Sequence, residues 1–152
     1  MNPSLIQSGP DQALAAAGGL PLPVVRSRVV VADDDPDLRR LIAQALATQG
    51  FEVLVAADGA QLLDLVAPSL LGVASEWPTE LVISDLRMPG VTGLSVLAGL
   101  REMGARLPFI IITGFGDPET HEAARRSGAT AVLDKPFEMS SLLALVRACL
   151  AI

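Results

Sequence analysis

Four short hydrophobic runs in this chain each end in a polar or charged residue. VVVA runs into Asp33 and Asp34, LVIS into Asp85, FIII into Thr113, and AVLD into Lys135, which is followed by Pro136. Three crowded carboxylates cannot all stay ionised without a cation, because like charges raise one another's pKa. A hard divalent ion with oxygen ligands is the natural partner, and Mg²⁺ suits best because it accepts a few carboxylates together with waters and phosphate oxygens. One acid is then left able to attack phosphorus while the metal neutralises the transferring group. Lys135 would pair with one phosphoryl oxygen, and the Thr113 hydroxyl would hydrogen-bond another.

This chemistry requires a fold that brings the five residues together. Apolar runs of four or five residues alternating with helix-like stretches read as strands of a parallel α/β sheet, whose ligands bind beyond the carboxyl ends of the strands. The expected strands are Arg28–Ala32, Glu52–Ala56, Glu80–Ser84, Pro108–Ile112 and Thr130–Asp134. The first helix opens at Asp35-Pro36 and carries Leu38, Leu41, Ile42, Ala45 and Leu46 on its inner stripe, with Gly50 as its stop. A second begins near Gly59 with Leu62, Leu63 and Val66, and the long connection from Pro68 to Thr79 is expected to extend it irregularly. A third spans about Thr92–Met103 on Leu94, Leu97 and Leu100. The fourth, Pro118–Ser127, is polar and shows almost no apolar face. The last, about Ser140–Leu150, buries Leu142, Leu143, Val146 and Leu150. Strict alternation puts helices on both faces of the sheet. Strands one, three and four are nearly free of polar residues and read as interior, while strand two, read as the shorter, belongs at an edge. Right-handed crossovers then favour the order 2-1-3-4-5, a flavodoxin-like (βα)5 doubly wound sheet with strands one and three side by side.

Hydrophobic residues make up 51% and aromatic ones 3%, so the core is aliphatic; formal net charge is −6. No basic stripe offers itself to a nucleic-acid backbone, which argues against direct DNA or RNA binding. No run of about 18 apolar residues reads as a membrane span. Cys149 is the sole cysteine and reads as a small buried or half-buried core residue, fitting a reducing compartment; the expected location is the cytoplasm. Residues 1–27 read as a flexible tail, with one weak helical turn at Gln12–Ala17, and 28–152 as the folded domain.

The segments VVVADDDPDLRRLI, LVISDLRMPGVTGL, IIITGFGD and GATAVLDKPF, in this order and spacing, resemble the receiver domains of two-component response regulators. The resemblance covers Arg28 to about Leu150. It implies that Asp85 is the phosphoacceptor, taking phosphate from a phosphohistidine on a histidine kinase or a histidine phosphotransfer protein. Asp34 and Asp85 would ligate Mg²⁺ directly, joined by the Arg87 backbone carbonyl, with Asp33 mostly acting through water. Thr113 would be the switch hydroxyl, Lys135 its cationic partner, and the Lys135–Pro136 peptide bond cis. Output would leave through the face formed by helix 4, strand 5 and helix 5, toward a protein target, with homodimerisation a further option. The chain beyond Lys135 is about enough for one helix, so a stand-alone receiver with no effector domain is expected. Its chemistry would be confined to its own phosphorylation and dephosphorylation, which is not enzymatic turnover of a separate substrate.

The sequence departs from the family at Val132, where many receivers carry a switching Tyr or Phe. Gly114 should leave the acceptor open. Arg87 and Phe115 flank the pocket without a carboxylate or amide to assist hydrolysis. A haloacid-dehalogenase-like phosphatase would leave Asp85 without a role and needs a further acidic pair downstream, where only Glu138 follows Lys135. An EF-hand loop starting at Asp33 fails at Leu38 and Gln44. The more serious rival is a phosphorylation-independent binding module of the same fold. His121, the sole histidine, reads as solvated surface, and Trp77 as a half-buried loop residue.

Overall fold

Aliphatic β-branched runs build the centre of the molecule. The structure is a computed structural model describing residues 27–72, 78–114 and 116–152. Most of the expected tail, with its helical turn at Gln12–Ala17, lies outside the described residues, as do Trp77 and Phe115. The strands are β1 (Arg28–Ala32), β2 (Glu52–Ala56), β3 (Thr79–Asp85), β4 (Phe109–Thr113) and β5 (Ala131–Asp134). They alternate with α1 (Pro36–Thr48), α2 (Gly59–Leu70), α3 (Gly93–Glu102), α4 (Pro118–Arg126) and α5 (Met139–Leu150). All strand pairs are parallel, in the order β2-β1-β3-β4-β5, as the crossover argument requires.

Each sheet face carries its own core. Val29, Val31, Ile83 and Ile110 point toward Ile42 and Leu46 of α1 and Leu142 and Val146 of α5. Val30, Val82 and Ile111 point toward Leu62 and Val66 of α2, Leu97 and Leu100 of α3, and Ala124 of α4. Alternation along each strand thus feeds both layers, and for this reason the central stretches of the interior strands, residues 29–32, 81–83 and 109–112, are apolar on both faces.

Four helices start on a side-chain cap. Asp35 accepts from the amides of Asp37 and Leu38, Asp58 from Gln61, Thr92 from Ser95 and Asp117 from Thr120. The third member of the acidic run is therefore used by the backbone of α1.

Some expectations need correction. β2 lies at an edge, but it matches β1 and β4 in length, and β5 on the opposite edge is the shortest. Its edge character shows instead in exposure: Val55 is half open to solvent while β1 is almost wholly buried. Leu41, expected on the inner stripe of α1, is exposed, as is Leu63 of α2. Each flanks a stripe already filled, by Ile42 and Leu46 in α1 and by Leu62 and Val66 in α2. α4 does have a buried face, built on Ala124 with Ala123, Thr120 and His121 half-buried beside it, opposite exposed Glu122, Arg125 and Arg126. An inventory of large apolar residues misses a face made of alanines. Finally, α2 continues through Pro68 to Leu70, so the connection extends the helix at its start, while residues 73–77 lie outside the described residues.

Candidate functional site

Sheet register brings the polar strand ends together. Ala32 of β1 lies opposite Ser84 of β3, so Asp33 and Asp85 emerge level with each other. Asp85 lies opposite Ile112, one residue before Thr113, and Thr113 lies opposite Asp134, one residue before Lys135. Four strand ends thus step across one rim. Asp85 and Thr113 are the last residues of their strands rather than the first residues after them.

Lys135 reaches over this rim. Its Nζ donates to Asp33 Oδ2 and to Asp85 Oδ2, each at 3.1 Å, across 102 and 50 positions of sequence. Its backbone amide donates to the Thr113 carbonyl at 2.7 Å, and the Lys135–Pro136 bond is cis. Asp33 is 1% exposed, Asp85 8% and Thr113 0%, while Asp34 faces solvent. Asp33 and Asp85 both meet Lys135, with Thr113 and Asp34 adjoining them at the same end of the sheet. One carboxylate oxygen each from Asp33, Asp34 and Asp85 lies within 4.8 Å of the others. Three close oxygen donors of this kind suit a hard divalent cation. The Arg87 backbone turns back here as well, its amide 3.4 Å from Asp85 Oδ1.

Burial is the main influence raising the Asp85 pKa, and the Asp33 charge adds to it; Lys135 and the Arg87 amide pull the other way without reversing the shift. For Lys135, burial favours loss of its proton, but the charges of Asp85 and Asp33 outweigh this and its pKa rises. The ammonium is therefore firmly charged at neutral pH. A raised carboxyl pKa means that the folded state binds a proton more readily than the unfolded chain does. The stability this confers is present below the ordinary carboxylate range and is lost as pH climbs through the raised value. Asp85→Asn, with Lys135 still held by Asp33, is accordingly expected to melt above the parent at neutral pH in chelator. That gap should shrink in acid, and thermal melts at the two pH values check it.

Several residues that position the site have no signal in the sequence alone. Arg39 of α1 reaches back to donate from Nη1 to the Asp33 carbonyl at 2.7 Å, fastening the acid-bearing turn. Buried Ser84 donates to the Asp85 carbonyl at 2.9 Å. Gly93 lies so close that a Cβ there would come 2.1 Å from the Asp85 carbonyl oxygen and 2.5 Å from Ser84 Oγ. Gly93→Ala is therefore expected to displace the Asp85 backbone and cost about 2 kcal/mol of stability, the usual size of an overpacking penalty. A denaturant titration measures it.

Around this centre, Val132 is half-buried and packs against the α2–α3–α4 core. His121 is not free surface: its Nε2 meets Asp134 Oδ1 at 2.7 Å, and its side chain is 26% exposed. Burial pushes the Cys149 thiol pKa up, consistent with a packed and unreactive cysteine. Among the described residues, no helix is long and apolar enough to cross a membrane.

The family model for the response regulator receiver domain matches residues 29–147. The chain is a member of that family. As a receiver, it is 39% identical over 127 residues to the C4-dicarboxylate transport transcriptional regulatory protein DctD of Pseudomonas aeruginosa, covering 84% of this chain and 26% of that protein. It is 36% identical over 123 residues to response regulator MprA of Mycobacterium avium, covering 81% of this chain and 50% of that one. The chain thus spans about a quarter to a half of the length of these two relatives. The solved receiver domain of the Francisella response regulator 1452 superposes with a TM-score of 0.71 at 27% identity, over 82% of this chain and 96% of that one. The receiver fold and its strand order are shared with such neighbours.

Proposed function

We propose that this receiver accepts a phosphoryl group on Asp85 from a phosphohistidine, with Mg²⁺ held in the acidic cluster, and signals through protein contacts. The observation that carries this is Lys135 Nζ at 3.1 Å from the carboxylates of both Asp33 and Asp85. An ammonium fixed beside two acids at a sheet rim marks where a second, anionic group would be received.

The residues that would hold Mg²⁺ are Asp34 and Asp85 directly, Asp33 through water, and Arg87 by its backbone carbonyl. When bound, the ion supplies neutralisation of the charge on the transferring group. The Asp85 carboxylate attacks phosphorus; an O–P bond forms as the P–N bond to the donor imidazole breaks. Lys135 pairs with a phosphoryl oxygen and the Thr113 hydroxyl donates to another, contacts that strengthen as charge builds there. Arg39 and Ser84 keep the acid-bearing backbones in place. The protein turns over no separate substrate; its reaction is confined to its own acceptor.

The phosphodonor partner, a histidine kinase or histidine phosphotransfer protein, has a surface to meet. A groove of about 420 Å³ beside Lys135 is lined by Leu38, Leu41, Pro136, Phe137 and Met139, with Asp35 at its edge. The exposure of Leu41 there suits contact with an apolar helix. The downstream protein target would read the α4–β5–α5 face, where a second copy of the chain could also bind. A cytoplasmic setting fits these partners.

The test is incubation with a small phosphodonor such as acetyl phosphate or phosphoramidate, with Mg²⁺ or with chelator, followed by intact-mass measurement. A gain of one phosphoryl group that requires Mg²⁺ is expected. No gain with any small donor or kinase would favour a phosphorylation-independent adaptor of receiver fold.

A further inference from the structure

Val132 has no ring to rotate between the acceptor and the α4–β5 surface. A different link exists close by. Asp134 immediately precedes Lys135 and pairs in register with Thr113. Its Oδ1 receives the His121 Nε2 contact at 2.7 Å. An ionised carboxylate can only accept, so the imidazole Nε2–H is the donor. From the other side Gly116 closes over the same carboxylate: a Cβ there would meet Asp134 Oδ1 at 2.5 Å and Cγ at 2.7 Å. The Asp134 side chain is thus wedged between the residue just ahead of the α4 cap and the first turn of α4.

The neighbouring groups reinforce this fastening. Asp117 caps α4 through the Thr120 amide at 2.7 Å, and the His121 amide donates to the Asp117 carbonyl at 3.1 Å. That capping bond is the main influence lowering the Asp117 pKa, with smaller help from the charges of His121 and Arg87. The start of α4 is consequently tied to the residue next to the lysine that holds Asp33 and Asp85.

We propose that the His121–Asp134 pair is a latch that holds α4 in its resting position and couples that position to the state of Asp85. This rests on Asp85 being the phosphoryl acceptor. A phosphoryl group gives Lys135 and Thr113 a new anionic partner, and any backbone shift at Lys135 reaches Asp134 first. The latch contact then weakens, and α4 is released toward its signalling position. Coupling is reciprocal. A contact made in the resting form alone lowers affinity for whatever favours the other form, and its removal must raise that affinity.

The experiment is calorimetric titration of the full chain with fluoroberyllate, a phosphoryl analogue, in Mg²⁺, alongside thermal melts. His121→Ala and Asp134→Ala should each tighten binding about fivefold, the scale of one net hydrogen bond. The double variant should gain no more than either single one. His121→Gln, whose amide nitrogen can replace Nε2 as donor, should return affinity toward the parent value. Lower melting temperatures with unchanged fluoroberyllate affinity in both alanine variants would make the pair a structural tie and overturn the latch. Failure of the parent itself to bind fluoroberyllate would instead overturn the acceptor reading, and the latch with it.

Discussion

Asp85→Asn should abolish phosphoryl acceptance, whereas Asp33→Asn and Asp34→Asn should weaken Mg²⁺ binding, so that transfer needs more of the ion, and leave the acceptor in place. This is the expected result, and it follows from how differently the three acids are held. Asp33 is fully buried, with Oδ1 occupied by the Asp35 amide at 2.9 Å and Oδ2 by Lys135. At 1% exposure, against 8% for Asp85, it offers almost no surface to an incoming phosphorus. Asp34 is exposed, and water competes there with any partner. Asp85 combines slight exposure with a carboxyl made more basic by burial and by the Asp33 charge. A more basic oxygen is a better nucleophile, and Lys135 stands beside it to receive the charge of the transferring group. An amide oxygen in the Asn variant cannot replace it. Intact-mass measurement of the three variants, after equal exposure to phosphodonor and Mg²⁺, distinguishes these roles.

Lys135→Met should separate metal binding from phosphoryl transfer by moving them in opposite directions. In the resting protein the ammonium occupies the space between two acids and partly neutralises them. Its removal leaves three neighbouring carboxylates with no cation of their own, so Mg²⁺ is expected to bind about tenfold tighter, equivalent to roughly 1.4 kcal/mol. Transfer should nevertheless slow by about 10²–10³, the usual result of deleting a preorganised charge that meets the transition state. In chelator the variant should also lose about 2 kcal/mol of stability. A fully buried pair would cost more, but the Lys135 side chain is 26% exposed and solvent screens part of the repulsion. Because the lysine pKa is raised, its stabilising contribution is complete at neutral pH and is lost only above the ordinary lysine range. Metal titration, single-turnover phosphorylation and denaturant melts report the three effects separately.

The strands were legible because the centres of buried parallel strands are apolar on both faces and run into polar residues such as Asp33, Asp85 and Thr113. Their order followed from crossover handedness, and the order alone placed Asp33 beside Asp85. The parts that were not legible depend on tertiary distance. Arg39 binding the Asp33 carbonyl, Ser84 binding the Asp85 carbonyl, and the closeness of Gly93 arise from how helices settle on the sheet, which no local pattern encodes. His121 looked solvated because α4 was read as wholly polar; once Ala124 turns that helix inward, His121 is carried onto Asp134. Leu41 follows the same logic in reverse. It has the spacing of a core residue but lies beside a stripe already complete, and it is left at the groove next to Lys135.

The most direct measurement is chemical trapping of the phosphorylated chain. Borohydride reduces an acyl phosphate to an alcohol, so peptide mapping after reduction should find homoserine at position 85 and only there, in Mg²⁺ and not in chelator. Homoserine at Asp33 or Asp34, or an unmodified Asp85 in protein that has gained a phosphoryl group, would contradict the account.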